Sequence, residues 1–375
     1  MNGQRPTANG ERFSRRTNWN PITNRLSIAR AKRPDALDLT ISNPTLAALP
    51  YPLDELSDAM ARAARAPYDP QPLGLPSARE AVAREIGCHA AEVVLTASTS
   101  EGYSFLFKLL CDPGDNVVTA TPSYPLIEHL AAMEMIEVRH FPLEFHRRWE
   151  LDAARIPIDG RTRAIVVVNP NNPTGSFVTA EEWETIWRLG IPVISDEVFF
   201  DYPLDGVRAG RPTSAGGTPA LHFALGGLSK SAGLPHYKLG WIRVPDPHAV
   251  AALELIADNF LSVATPVQVA LPEILALAPR IRAAIAERTR VNLATAKRLV
   301  SGAAQLLPAE GGWSAVIRVP STMSDEEFAL DALERHGVVV HPGYFFDFDR
   351  DGYFVVSLLT PCEVFFDGLS RLLAS

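Results

Sequence analysis

Cysteine is scarce in this chain: three residues in 375, Cys88, Cys111 and Cys362. They are odd in number, far apart and without a CxxC spacing. That excludes a disulfide framework and reads as reduced thiols in a cytoplasmic protein. Long apolar runs are missing as well. A stretch such as residues 164–168 is typical, whereas a bilayer span needs roughly 18 residues, so no membrane partner is expected. Nor is there an excess of basic charge, since 35 Lys and Arg face 43 Asp and Glu for a formal charge of −8. A nucleic acid held by a basic surface is therefore not an expected partner. Glycine does not recur at every third position, so the 31 prolines must punctuate loops rather than build a collagen-like helix. Residues 1–20 lack a hydrophobic segment and hold one acid, Glu11. They read as a flexible arm rather than a secretory leader, although a transit peptide has a similar composition.

What is present is globular. Apolar residues make up 47% and charged residues 21%, which is too apolar for a wholly disordered polymer. At 375 residues the chain exceeds one compact core and suits about two domains. Short runs rich in Val and Ile at 92–96, 116–120, 163–168, 192–195, 222–226 and 240–244 read as strands. Several are almost continuously apolar, as strands buried on both faces of a parallel sheet are. Helical patterns such as 100–111 and 180–189 alternate with them, which predicts an α/β domain with a mostly parallel sheet sandwiched by helices. Ser77 and Glu80 have the spacing of a capping box for a helix over 78–86. Beyond 244 the pattern changes to a long helical stretch over 247–277 and a basic amphipathic helix over 280–300. Strands at 313–319, 338–341 and 353–358, with helices between, complete a smaller α+β domain. The expected organisation is an N-terminal arm (1–45) packed on a small C-terminal domain (251–375), with a large cofactor-binding domain (46–250) between them.

In an open α/β sheet, ligands bind beyond the carboxyl ends of the strands. After 92–96 comes Ser98-Thr99-Ser100, opening a helix whose free N–H groups and hydroxyls suit a phosphate. The plainer alternative is a serine N-cap. After 163–168 comes Asn169-Pro-Asn-Asn-Pro-Thr-Gly175, a tight loop from which Asn172 can project an amide. Asp196 follows 192–195, and Gly227-Leu-Ser-Lys230 follows 222–226. Hydroxyls, an amide, a carboxylate and a lysine together match the phosphate, phenolic oxygen, ring nitrogen and aldehyde of pyridoxal phosphate. His129, His222 and His236 have no metal-ligand spacing, and no metal is expected.

The segments NPNNPTG (169–175), SDEVFFDY (195–202) and LSKSAGLPHYKLGW (228–241) resemble those of the class I/II aminotransferases. These form the aspartate-aminotransferase-like group of fold type I pyridoxal phosphate enzymes. Further matches are YDPQPLGLPSAREAVA (68–83), TASTSEGYSFLFKLLCDPGD (96–115), PSYP (122–125) and HPGYFFDF (341–348), so the resemblance runs from about residue 37 to the end. It implies that Lys230 forms the Schiff base and carries the proton, and that Asp196 pairs with the ring nitrogen. Asn172 would hold the phenolic oxygen and Tyr124 would stack on the ring. Thr99, Ser100, Ser229 and Lys238 would bind at the phosphate end. Tyr68 would reach the phosphate of a neighbouring subunit, making the protein a homodimer with shared sites. Asn43, in SNPT (42–45), lies where the family's arm approaches the substrate; a turn asparagine is the equal alternative.

Four positions depart from the family pattern. A tyrosine is replaced by Phe199, which removes a donor to the phenolic oxygen and should raise the Schiff-base pKa. A serine is replaced by Gly227, and a phosphate-clamping arginine by Lys238, which keeps the charge without the bidentate fork. The arginine that grips the substrate's α-carboxylate is replaced by Val355. Either Arg15, Arg16 or Arg25 on the arm takes over that grip, or the donor is not an ordinary α-amino acid. The function expected is transfer of an amino group from an amino donor to an oxo-acid acceptor in two half reactions. A lyase or synthase on the same scaffold, and a non-catalytic cofactor-binding protein, are the alternatives.

Overall fold

The computed structural model describes residues 14, 16, 24–204 and 220–374. The chain enters through α1 (Arg25–Ala31), β1 (Leu37–Asp38), α2 (Leu53–Ala63) and α3 (Pro76–Ile86). Alternating elements follow: β2 (Val93–Thr96), α4 (Thr99–Leu110), β3 (Asn116–Thr121), α5 (Leu126–Met133), β4 (Glu137–Phe145), β5 (Trp149–Leu151), β6 (Thr162–Val168), α6 (Ala180–Arg188), β7 (Val193–Asp196), β8 (His222–Gly227), α7 (Leu228–Ser231) and β9 (Gly240–Arg243). The rest comprises α8 (Pro247–Asp258), α9 (Thr265–Leu299), β10 (Gln305–Leu306), β11 (Ser314–Arg318), α10 (Asp325–His336), β12 (Val338–Val339), β13 (His341–Pro342), β14 (Tyr353–Ser357) and α11 (Cys362–Leu373).

Eight strands form the central sheet in the order β2-β9-β8-β7-β6-β3-β4-β5. Pairs β3–β4, β3–β6, β6–β7 and β7–β8 are parallel. β9 is antiparallel to both its neighbours, and β5 to β4. β7 and β8 are buried along their whole length, as their unbroken apolar runs require. One face of the sheet packs on α4, α5 and α8, the other on α6. A second sheet, β10-β11-β14-β13, lies in the C-terminal part. The N-terminal segment joins that part: β1 pairs in parallel with β12, and Leu26 and Leu39 are buried among Leu333, Val356 and Phe365.

Three local expectations are revised. The Ser77–Glu80 capping box does not form; α3 starts at Pro76, whose fixed φ suits the first turn, and its N-cap Leu75 has no side-chain bond. β4 and β5 lie at one end of the sheet and go beyond the strands expected; Phe141, Leu143 and Phe145 alternate, as do Trp149 and Leu151, but Pro142 interrupts the first run, the second is three residues long, and β4 is only partly buried. The two helical stretches after 244 divide elsewhere. The break falls before Thr265, and one helix of 35 residues runs through Pro272 and Pro279 to Leu299. Its buried stripe, including Leu271, Ile274, Ala278, Ile281 and Ile285, packs on α2 and α3. That burial outweighs the local cost of each proline.

His222 at the start of β8 makes a testable point about this core. It is 2% exposed, its ring lies 4.9 Å from that of Trp187, and its Nε2 has no hydrogen-bond partner. Burial pulls its pKa from 6.5 down to about 3. Above the unfolded value neither state binds the proton, so stability there is indifferent to pH. Below it the unfolded chain takes up a proton that the native state refuses, and stability falls by about 1.4 kcal/mol per pH unit. Urea melts at pH 7.5 and pH 5 should therefore show about 2 kcal/mol more acid destabilisation in the wild type than in His222→Phe. Equal pH slopes would show that His222 takes up its proton alike in both states and that burial does not depress its native pKa.

Candidate active site

The sheet topology brings the strand-end residues together. β6, β7 and β8 run in parallel, so the Asn172 loop, Asp196 and Lys230 emerge at one edge. β2 points the same way, because β2 and β8 are each antiparallel to β9. α4 therefore starts at that edge too. Ser98 is its N-cap and accepts a hydrogen bond from the Glu101 N–H at 3.2 Å. The N–H groups of Thr99 and Ser100, in the first turn, have no acceptor within the helix.

Close packing of this helix start explains one departure in the sequence. A Cβ at Gly240 would lie 2.9 Å from the Thr99 nitrogen, and one at Gly227 would lie 3.1 Å from both the Gly240 Cα and the Leu239 carbonyl oxygen. Two facing glycines let β8 and β9 approach each other and the first turn of α4. A serine at position 227 would crowd that contact.

These ends open on a cavity of about 230 Å³. Its opposite wall is built by the C-terminal sheet, through Trp313, Ser314, His341, Val355 and Ser357, with Ser42 from the N-terminal segment. Asp196 is 8% exposed. Its Oδ2 accepts from the Tyr103 hydroxyl at 2.9 Å and its Oδ1 from the Val198 N–H at 3.1 Å. Burial raises the Asp196 pKa, against the pull of those two donors and of Lys230. Burial likewise lowers the Lys230 pKa, against the Asp196 charge. The Lys230 Nζ lies 5.3 Å from the centre of the Trp313 ring and 5.7 Å from that of Phe199, and these two rings meet edge to face at 5.2 Å. The amide oxygen of Asn172 accepts from the Ser314 hydroxyl at 3.1 Å, which leaves the NH₂ group to face a ligand.

Of the residues expected from the sequence, Thr99, Tyr124, Asn172, Asp196, Ser229 and Lys230 line the cavity. Ser100 and Lys238 are outside its lining; Lys238 is exposed, with a left-handed backbone at φ 49. Tyr68 is 70% exposed and lines a separate groove with Phe105 and Leu261. Asn43 is also outside: its Oδ1 accepts from the Thr45 N–H at 3.1 Å and hydroxyl at 2.8 Å, as a turn asparagine does. The arm arginines do not reach the site among the described residues. Arg25 pairs with Glu326 at 2.8 Å, Arg16 is exposed outside the lining, and Arg15 lies outside the described residues. Sequence reasoning missed Tyr103, Trp313, Ser314, His341 and Ser357. Tyr103 reads as one more apolar position of α4, and the others come from strands far along the chain, so no local spacing ties them to the site.

Residues 34–364 match the family described as aminotransferase class I and II. Nicotianamine aminotransferase 1 of Oryza sativa subsp. japonica is 35% identical over 243 residues, 59% of this chain and 49% of that protein. The S-alkyl-thiohydroximate lyase SUR1 of Arabidopsis thaliana is 37% identical over 203 residues, 49% of this chain and 42% of that protein. This chain spans about half the length of the curated relatives it matches. Among solved structures, the alanine aminotransferase from Pyrococcus furiosus matches with a TM-score of 0.84 over 96% of this chain and 98% of that one, at 24% identity. That likeness shows the fold, which is the fold type I architecture expected from the motifs. By its sequence match across the cavity-forming segments and beyond, the chain belongs to the class I and II aminotransferase family.

Proposed function

We propose that this chain is a pyridoxal-phosphate-dependent aminotransferase acting on an amino donor and an oxo-acid acceptor. The observation that carries the reading is that Lys230 and Asp196 follow adjacent strands into one cavity, where each charge acts on the other. The donor set fits the cofactor group by group. The first turn of α4 at Thr99 and Ser100 offers free N–H groups and hydroxyls to a phosphate, with Ser229 and Lys238 supporting it. Asn172 offers an NH₂ group to a phenolic oxygen, Tyr124 a ring face, Asp196 a basic carboxylate to a protonated ring nitrogen, and Lys230 an amine to an aldehyde. When bound, pyridoxal phosphate supplies an aldehyde that takes up an amino group and a ring that accepts the electrons released at the reacting carbon.

The protein's own part follows from the environment of each side chain. A lowered Lys230 pKa leaves more of its amine neutral, so it can attack a carbonyl and accept a proton at Nζ. Trp313 and Phe199 confine that amine to one end of the cavity. Tyr103 and the Val198 N–H hold both carboxylate oxygens of Asp196, fixing its direction. Tyr68 is exposed and away from this chain's own cavity, as the homodimer with shared sites in this reading requires.

Reconstitution with pyridoxal phosphate and titration with donors tests the reading. Loss of the visible band with release of a matching oxo product supports transamination. Release of ammonia with regeneration of the band would favour a lyase, the second reading. Val355 at the carboxylate position and the similarity to a lyase over 49% of the chain keep that reading in play. Ser314 gives a finer test. Ser314→Ala frees the Asn172 amide and weakens its bond to the phenolic oxygen by about 1 kcal/mol. The pH midpoint of the visible band should then rise by about 0.7 of a unit, and Ser314→Thr should restore it. An unchanged midpoint in the alanine variant would mean that Ser314 does not orient the amide.

A further inference from the structure

We propose that at least one substrate of this site is a primary amine, with its aldehyde or ketone counterpart, whose reacting carbon bears no carboxylate. The proposal rests on the aminotransferase reading above and specifies what that reading leaves open.

It is carried by the chemistry of the wall opposite Lys230. Val355 is 1% exposed and lies on β14 between Val316 of β11 and His341 of β13, so its place in the sheet is fixed. Among the described residues, the polar groups beside it offer an anion no positive charge and few free donors. Ser357 donates its hydroxyl to the Ile41 carbonyl and accepts from the Leu359 N–H, so it is saturated. Ser314 donates to Asn172 and presents lone pairs. The Trp313 indole N–H is buried without a partner. Burial lowers the His341 pKa, against the Asp38 charge, and keeps the imidazole neutral near pH 7. Among the described residues that line the cavity, Lys230 is the single Lys or Arg, and the reaction occupies it.

A carboxylate placed against this wall would give up its hydration for a valine, a neutral imidazole, oxygen lone pairs and at most the neutral Trp313 indole N–H, with no cation among the described lining residues other than Lys230. Burying an unpaired carboxylate costs several kcal/mol, whereas an apolar stem gains from the same surface. The half reaction balances as usual. The donor carbon is oxidised by two electrons from C–NH₂ to C=O. The cofactor's aldehyde carbon is reduced by the same two electrons and keeps the nitrogen. The proton leaving the donor carbon travels by way of Lys230.

The test compares donors that differ only by the carboxylate: phenethylamine against phenylalanine, and pentylamine against norleucine, with the reconstituted protein. The amine of each pair should bleach the visible band at least about tenfold faster at equal concentration. Calorimetry with the same protein gives a readout independent of turnover: hydrocinnamyl alcohol should bind at least about tenfold more tightly than hydrocinnamate. Val355→Arg should reverse both preferences; if that variant does not fold, the wild-type comparisons decide. Faster conversion of the amino acids, or tighter binding of hydrocinnamate, overturns this proposal and leaves the aminotransferase reading standing. A stable band that neither class of donor converts overturns both.

Discussion

Lys230→Ala protein is expected to fold, to bind pyridoxal phosphate without a covalent bond, and to give no adduct on borohydride reduction. The fold should survive because the lysine is a cost to the native state: burial lowers its pKa, so removing it relieves a desolvation penalty. Its neighbours Trp313 and Phe199 still pack on each other, and Trp313 on Tyr202. Chemistry should not survive. Losing a proton carrier alone slows a reaction roughly a hundred- to ten-thousand-fold, and here the nucleophile is lost with it. Mass-spectrometric mapping of reduced wild-type protein should place the adduct on residue 230. An adduct on Lys238, or on any other lysine of the variant, would sink the assignment.

Asp196→Ala is expected to cut the rate of proton removal from the donor by roughly a hundred- to a thousand-fold, the usual effect of deleting a preorganised charge in a water-poor site. It should also destabilise the fold by about 1–3 kcal/mol, because the Tyr103 hydroxyl, on a residue 1% exposed, loses its acceptor. The two effects can be separated. Asp196→Asn keeps an oxygen for Tyr103 and removes the charge, so urea melts should recover most of the stability while the half-reaction rate stays low. A variant whose rate follows its stability would show that Asp196 is structural and that no carboxylate is needed at the ring nitrogen.

The parts of this site that are legible in the sequence are those a single strand end supplies. Lys230, Asp196 and Asn172 each follow an apolar run, and the rule that ligands gather at carboxyl strand ends places them together before any coordinates are known. The same rule is blind to the other half of the cavity. Ser314 meets Asn172 across 142 positions and Tyr103 meets Asp196 across 93, so only the packing of distant elements reveals them. Lys238 and Asn43 show how little a motif position says about where a side chain lies. A motif position names a residue type, while the backbone decides where the side chain goes, and here it turns Lys238 to the surface and commits Asn43 to a turn. In the fold, strongly apolar strands such as β7 and β8 were readable. α9 was not, since Pro279 marks a local boundary that a buried face carries the helix across.

That helix has a thermodynamic consequence. The one backbone supplies Ile274 and Ile281 to the cluster around α2 and α3, and further along Leu293 and Ala296 to the cluster that holds Leu333 and Phe365. Melting either end strips a wall from a core whose other residues lie elsewhere in the chain. Loosening one core therefore weakens a wall of the other, and the two are expected to lose their order in one transition.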